Sequence, residues 1–310
     1  MRAIRQQSVG GPEVLDLVTV DRPEPAPTEV LVRVAAAGVN PVDWKTRSTG
    51  GMLGSPPFTV GWDVAGTVEE LGFGVTRFEV GDRVFGLPRF PREAGAYAEF
   101  VTSPSRQLAR TPDRLSDVEA AALPLASLTS WQALVDTAAV KPGDRVLIHA
   151  AGGGVGHLAV QIAKSRGAYV IGTERMDDHA FLAEVGVDEA IDYRREDVAA
   201  SVRDVDVVLD LVGGETGLAS LPVVRDGGLL ISVPSRADVA PLREAAGDRV
   251  RVTGILVEPD RSGMEAVAAL AADGGLRVRV SRTFPLEEAA AAHELSENGR
   301  ARGKLVLTID

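Results

Sequence analysis

Residues 144–173 hold the segment that most constrains the fold of this chain. A short apolar run at 146–148 is followed by a glycine-rich turn, apolar residues at helical spacing over 158–163, and a second apolar run at 169–171. This pattern predicts a buried strand, a tight turn, a helix and a parallel strand. Glycines let the backbone approach a pyrophosphate, and a helix N-terminus offers it free N–H groups, so the segment predicts a dinucleotide site.

The spacing within the turn is Ala150-x-x-Gly153-x-x-Gly156, with alanine where the common fingerprint has its first glycine. We predict that the turn contacts the pyrophosphate through Gly153, Gly154, Val155 and Gly156. The alternative for any one of these residues is a role only in packing the helix against the strand.

Thr173, Glu174 and Arg175 follow the second strand, where the adenosine ribose is recognised. A carboxylate at this place binds the ribose diol of NAD, whereas cations and hydroxyls bind the 2′-phosphate of NADP. Glu174 would repel that phosphate and Arg175 could bind it with two parallel hydrogen bonds. These residues therefore leave both cofactors open.

Composition restricts the function classes. The chain has 310 residues, which predicts two domains. It has no cysteine, which excludes disulfides, thiolate zinc sites and a cysteine nucleophile. The net charge of −11 argues against nucleic-acid and anionic-membrane partners. No apolar run approaches the ~20 residues of a membrane helix, and no signal peptide is evident, so we expect a cytoplasmic protein.

The order of elements predicts an α/β fold. Residues 1–118 show short strand-like runs separated by turns, which predicts an all-β region, and residues 119–139 show helical spacing. Six strands alternate with helices from 145 to about 257, which is typical of a doubly wound parallel sheet. The last stretch, 278–309, predicts a strand, a helix and a strand that rejoin the first domain.

Several segments together resemble one family, in its own order and across nearly the whole chain: Gly38–Lys45, Gly61–Val68, Gly81–Gly86, Gly95–Phe100, Leu128–Leu134, the glycine turn and Arg302–Leu307. The chain resembles the medium-chain dehydrogenase/reductase superfamily, in its zinc-free quinone oxidoreductase-like branch. The resemblance implies a Rossmann domain at 120–274, inserted in a partly open β-barrel, GroES-like catalytic domain formed by 1–119 and 275–310.

The resemblance also bears on metal binding. Zinc-dependent relatives carry a cysteine, a histidine and usually a second cysteine in the catalytic site. The matching positions here are Asn40, Trp62 and Leu125, which do not form a zinc ligand set, so we expect no metal.

The catalytic residues that the resemblance implies are Asn40, Asp43 and Lys45, which we expect on one loop. A lysine ammonium beside the substrate oxygen would stabilise the negative charge that hydride addition places there. The alternatives are a surface lysine at 45 and a loop-shaping role for Asp43. Residues 50–58 lack the tyrosine that many relatives use as a proton donor.

Further cofactor contacts are implied for residues near the nicotinamide, the adenine and the C-terminus: Thr129, Tyr193, Leu211, Val212, Ser232, Val233 and Lys304. The alternatives are helix capping for Thr129, core packing for the strand-end residues and Tyr193, and a solvated lysine at 304.

These inferences predict a zinc-independent oxidoreductase that prefers NADPH, with NADH possible, and transfers hydride to a quinone or an α,β-unsaturated carbonyl compound. Two alternatives remain. One is a pathway-specific enoyl reductase or cyclisation enzyme of secondary metabolism, and the other is a non-catalytic NADPH-binding protein, like the crystallins of the family. The family resemblance favours a homodimer.

Overall fold

The structure is a computed structural model that describes residues 1–299 and 301–310. Over these residues the chain divides into two units, 1–128 with 258–310, and 129–257. The strands are β1 Arg2–Gln6, β2 Asp16–Thr19, β3 Glu29–Val39, β4 Phe58–Thr59, β5 Asp63–Leu71, β6 Arg83–Gly86, β7 Phe100–Pro104, β8 Leu108–Arg110, β9 Arg145–Ile148, β10 Tyr169–Glu174, β11 Glu189–Asp192, β12 Val205–Asp210, β13 Val224–Ser232, β14 Arg251–Gly254, β15 Val280–Pro285 and β16 Lys304–Thr308. The α-helices are α1 Pro41–Thr49, α2 Asp117–Ala121, α3 Pro124–Trp131, α4 Gly156–Ser165, α5 His179–Glu184, α6 Val198–Ser201, α7 Glu215–Ser220, α8 Val239–Ala246, α9 Arg261–Ala272 and α10 Ala289–Glu297.

The unit at 129–257 is built on a six-stranded sheet in the order β11-β10-β9-β12-β13-β14. Every neighbouring pair in it is parallel. Numbered from β9, this order is 3-2-1-4-5-6, the doubly wound Rossmann arrangement. The central strand β9 buries Val146, Leu147 and Ile148 completely, as expected of a strand covered on both faces. The predicted α/β fold class is confirmed.

The other unit contains a seven-stranded sheet, β15-β16-β3-β5-β6-β8 with β7 paired to β3, and a small sheet β2-β1-β4. The long strand β3 runs antiparallel to β5, β7 and β16. Phe284, Leu305 and Leu307 from the C-terminal strands share a core with Val32 and Val64. The C-terminal segment therefore belongs to this unit.

One local prediction is wrong. The region before 118 is not all β, because Pro41–Thr49 forms helix α1 where a loop was expected. Asn40 has an extended backbone and Pro41 follows it as the first helical residue. The Asn40 N–H donates to Asp43 Oδ2 at 2.6 Å, as in a capping box. The residues that give these helix-start signals are visible in the sequence. The segments on either side predict strands, so the helix was not predicted.

The unit boundaries differ from the predicted domain limits. Residues 120–128 and 258–274 group with the first unit, although the sequence placed them in the Rossmann domain. The reason is packing: α2 lies against β3 and β5, and α9 lies against β8. Among the described residues, we find no helix with both the length and the apolar character needed to cross a bilayer.

Candidate active site

The first unit contains a group of buried polar side chains that we call the buried polar cluster. Its members come from the start of α1, the start of β5, the segment before β7, the middle of α10 and the start of β16. None is more than 3% exposed: Asn40, Asp43, Asp63, Tyr97, His293 and Lys304. Buried ionisable groups are costly unless they are paired, so the contacts within this cluster decide what it can do.

One half of the cluster surrounds the Asn40 side chain. Its Nδ2 donates to Asp63 Oδ2 at 2.8 Å, and its Oδ1 accepts a hydrogen bond from Lys304 Nζ. The same ammonium donates to the carbonyl of Val39 at 3.2 Å and lies 3.6 Å from Asp63 Oδ2. The other oxygen of Asp63 accepts the backbone N–H of Leu125 at 2.8 Å. The amide, the carboxylate and the ammonium thus form one closed network.

The other half of the cluster surrounds Asp43. Its Oδ2 accepts the Asn40 N–H and, at 3.0 Å, the hydroxyl of Tyr97. His293 Nε2 lies 3.2 Å from that hydroxyl, and the two rings meet edge to face. Asp43 Oδ1 and His293 Nδ1 have no hydrogen-bond partner among the described residues.

Charge in the cluster is unbalanced, because two carboxylates face a single ammonium. Burial raises the pKa of Asp43 to about 7. The charge of Asp63 raises it as well, whereas the hydrogen bond from the Asn40 N–H lowers it. Burial also raises the pKa of Asp63, while Lys304 opposes that shift. The pKa of Lys304 is lowered by burial, against the two carboxylates, which raise it. The Asp43 carboxylate therefore takes up a proton near neutral pH.

The catalytic residues predicted from the sequence separate into two groups. Asn40 and Asp43 are buried and bonded to each other, whereas Lys45 is exposed on α1 with its Nζ 5.8 Å from the ring of Trp44. Lys304 is not a solvated lysine but lies in the cluster. Its predicted contact with the cofactor stays a prediction.

Sequence reasoning missed three members of the cluster. Asp63 and Tyr97 lie inside segments that resemble the family but carry no role assigned from the sequence, and His293 lies in none of those segments. No periodic signal joins these residues, because they lie up to 230 positions apart on different elements.

In the second unit, the glycine turn connects β9 to α4. Ala150 has φ 49°, a left-handed conformation that favours glycine, which explains why the common fingerprint has glycine there. A Cβ on Gly156 would lie 2.2 Å from the Ala150 carbonyl oxygen, so this glycine is needed for close helix packing. Gly153, Gly154 and Val155 are partly exposed. Their predicted contact with a pyrophosphate is compatible with that exposure.

The end of β10, with Thr173 and Glu174, and Arg175 directly after it lie beside the glycine turn. Glu174 Oε2 accepts the Gly152 N–H at 3.2 Å, and Arg175 is half-buried next to it, with Nε 3.9 Å from Glu174 Oε1. Thr173 is buried, and its hydroxyl lies 3.0 Å from His149 Nδ1. Glu174 and Arg175 are therefore the accessible members of the predicted ribose site.

The remaining predicted cofactor residues differ in exposure. Tyr193 and Val212 are about half exposed, at 50% and 53%, while Leu211 and Val233 are partly buried. Thr129 is buried, and so is Ser232, whose Oγ has no hydrogen-bond partner in the part of the chain that the structure describes.

Comparison with known proteins identifies the family. Residues 26–113 match the family described as alcohol dehydrogenase GroES-like domain, and residues 185–307 match zinc-binding dehydrogenase. A 2-haloacrylate reductase from Burkholderia sp is 37% identical over 325 aligned positions, which cover 96% of each chain. The chain belongs to the medium-chain dehydrogenase/reductase superfamily. It lies in the quinone oxidoreductase-like branch and is an NAD(P)H-dependent oxidoreductase.

Two solved structures of this branch match along the full length. The quinone oxidoreductase from Coxiella burnetii has a TM-score of 0.94 and 39% identity, covering 100% of this chain and 99% of its own. The Escherichia coli quinone oxidoreductase, complexed with NADPH, has a TM-score of 0.89 and 30% identity, covering 99% and 100%. The predicted family and fold are confirmed.

The residues of this family member fit a dinucleotide. The turn at 152–156 leads into the N-terminus of α4, and a carboxylate and a guanidinium stand at the end of β10. Two buried polar atoms without partners among the described residues, Asp210 Oδ2 and Ser232 Oγ, lie where β12 and β13 end. In doubly wound sheets ligands bind at the carboxyl ends of the strands.

The residues do not fit a catalytic zinc ion. At the matching positions, the Asn40 amide is bonded at both ends, Trp62 donates its Nε1 to the carbonyl of Arg92 at 2.7 Å, and Leu125 has no donor atom in its side chain. Zinc requires thiolate, imidazole or carboxylate ligands in tetrahedral arrangement. None of these three side chains is therefore available as a zinc ligand.

Proposed function

We propose that this enzyme is a zinc-independent reductase that prefers NADPH and adds hydride to an electron-poor carbon–carbon double bond, in a quinone or an α,β-unsaturated carbonyl compound. The side chains at positions 40, 62 and 125 carry this proposal, because an amide, an indole and a leucine do not form a ligand set for zinc, the Lewis acid of the zinc-dependent relatives. A haloacrylate, the compound named for the Burkholderia relative, has a double bond conjugated to a carboxylate, which supports the second substrate class.

The protein's part in such a reaction is to bind, orient and stabilise charge. When bound, the nicotinamide group would supply a hydride. Lys45 is an exposed cation on α1, and in the proposed mechanism its ammonium stabilises the negative charge that develops on the substrate oxygen. Asn40 and Asp43 are buried and bonded to each other, so we assign them to holding the start of α1.

The preference for NADPH rests on Arg175. Its guanidinium is half-buried beside the glycine turn and suits bidentate binding of a 2′-phosphate. The Glu174 carboxylate accepts the N–H groups of Gly152 and Arg175, at 3.2 Å and 3.0 Å, so its charge is partly compensated by the backbone. The Escherichia coli relative was complexed with NADPH, which supports the same preference.

The test is anaerobic mixing of the purified enzyme with NADPH or NADH and a panel of quinones, enones and enoyl thioesters. We expect oxidation of NADPH with at least one quinone or enone, at unchanged rate after dialysis against a chelator. Turnover with enoyl thioesters alone would favour the enoyl reductase alternative. Tight NADPH binding without turnover of any acceptor would favour the non-catalytic alternative and refute our proposal.

A further inference from the structure

Asp43, Tyr97 and His293 form a linear series of hydrogen bonds, and its direction is fixed when Asp43 is ionised. A carboxylate only accepts, so the Tyr97 hydroxyl donates to Asp43 Oδ2. The Tyr97 oxygen is then free to accept, so the proton of His293 lies on Nε2, 3.2 Å away. Burial, and next to it the charge of Arg47, lower the pKa of His293 to about 3, so the ring is neutral and Nδ1 carries no proton.

The series of hydrogen bonds through these three residues ends at the first turn of α1. The oxygen of Asp43 that accepts from Tyr97 also accepts the Asn40 N–H at 2.6 Å. The side chain of Asn40 in turn binds Asp63 and Lys304. One carboxylate oxygen thus fixes the residue at which α1 begins, and Lys45 lies one helical turn further along.

We propose that Tyr97 and His293 are positioning residues for the start of α1, and that they act through the carboxylate of Asp43. The catalytic consequence of this positioning rests on the proposed function, since it matters only if Lys45 on α1 serves the reduction. Ionised Asp43 holds the Asn40 N–H in a charge-assisted hydrogen bond, and protonated Asp43 holds it more weakly. The start of α1 is therefore best ordered when Asp43 is ionised.

The titration of Asp43 depends on the charged groups that face this series of hydrogen bonds. Asp43 faces Asp63 on β5, which opposes its ionisation, and Lys304 on β16, which favours it. The Tyr97 hydroxyl also favours ionised Asp43, because it donates to the carboxylate. His293 faces Arg47 on α1, which is paired with Glu297 on α10 at 2.9 Å. Removal of the Tyr97 hydroxyl alone leaves these charges in place, so it isolates the effect of the hydrogen bond.

The experiment compares Tyr97→Phe with the wild type and with Tyr169→Phe, a tyrosine of β10 whose hydroxyl lies 3.4 Å from Glu189. The titration of Asp43 is followed by carbon-13 NMR of side-chain carboxyl groups, and Asp43→Asn identifies its signal. We expect the midpoint in Tyr97→Phe to rise by about one pH unit, since a hydrogen bond to a charged group is lost. Tyr169→Phe leaves it unchanged.

Turnover gives a second readout. With a midpoint one unit higher, the ionised fraction at pH 7 falls about fivefold, so kcat at pH 7 falls by about that factor and KM for NADPH does not change. Raising the pH above the shifted midpoint restores most of kcat, whereas a general packing defect lowers kcat at every pH. His293→Gln, which keeps a donor, resembles the wild type, and His293→Leu shifts the midpoint in the direction of Tyr97→Phe.

The two proposals fail in different ways. An unchanged Asp43 midpoint in Tyr97→Phe, or a loss of kcat that is uniform across pH, overturns the positioning role. Absence of turnover by the wild type with every acceptor overturns the proposed function, and the carboxyl titration, which needs no substrate, then decides the role of Tyr97 and His293 by itself.

Discussion

Lys304 and Asp63 form an ion pair inside the first unit, with 3.6 Å between Nζ and Oδ2 and side chains that are 3% and 0% exposed. Asn40 bridges them, because its amide donates to the carboxylate and its carbonyl oxygen accepts from the ammonium. A buried ion pair contributes little more to the free energy of unfolding than apolar residues of similar size would, but removal of one partner leaves a buried charge without compensation. The pair therefore holds β5, β16 and the start of α1 in one arrangement.

Lys304→Met should destabilise the enzyme by about 3–5 kcal/mol, because Asp63 then stays buried without its cation. Urea unfolding at pH 8 measures this loss. Lys141→Met, at an exposed lysine, is the matched control and should change stability by less than ~0.5 kcal/mol. The double variant Asp63→Asn with Lys304→Met should recover part of the loss. If Lys304→Met is as stable as Lys141→Met, this interpretation of the pair is contradicted.

Asp43 should make stability depend on pH with a defined sign. Its pKa is about 7 in the folded protein and 3.8 is its ordinary value, so the folded state binds the proton more tightly. The contribution of Asp43 to the free energy of unfolding is therefore full below about pH 4 and is lost as the pH rises to about 7, a change of roughly 4 kcal/mol. The difference between wild type and Asp43→Asn, measured by denaturant unfolding from pH 4 to pH 9, should follow this curve. A difference that does not vary with pH would refute it.

Arg175→Ala should raise KM for NADPH by roughly tenfold, about 1.4 kcal/mol, because a bidentate contact with the 2′-phosphate is lost. KM for NADH should change less than twofold. Steady-state kinetics with both cofactors measure the two effects. Arg166→Ala, at an exposed arginine that caps α4, serves as the control. Equal small effects on both cofactors would remove Arg175 from the phosphate site.

Lys45→Ala should lower kcat with an enone at least about tenfold, roughly 1.4 kcal/mol in transition-state stabilisation. Because Lys45 is exposed, the melting temperature should stay within the range of the control Lys141→Ala. Measurement of kcat and Tm on the same preparations separates catalysis from stability. If kcat is unchanged, the developing charge is stabilised by another group.

Local patterns predicted much of the fold. The apolar run at 146–148, the glycine turn and the helical spacing after it predicted β9, α4 and β10 within a few residues. The same reasoning missed α1, because Asn40-Pro41 and Asp43 are short capping signals within a β-rich region. It also placed α9 and the end of α2 in the Rossmann domain, because a helix pattern shows that a face is buried and not which sheet buries it.

The sequence by itself determined the doubly wound parallel-sheet unit and the glycine turn between its first strand and first helix, because these depend on residues close together in the chain and on periodicity. Only the tertiary structure decided that Asn40, Asp43, Asp63, Tyr97, His293 and Lys304 share one buried cluster. The physical reason is that their proton affinities and hydrogen bonds depend on desolvation and on charges brought together from five separate elements. No spacing rule relates residues 40 and 304; the antiparallel pairing of β3 with β16 brings them together.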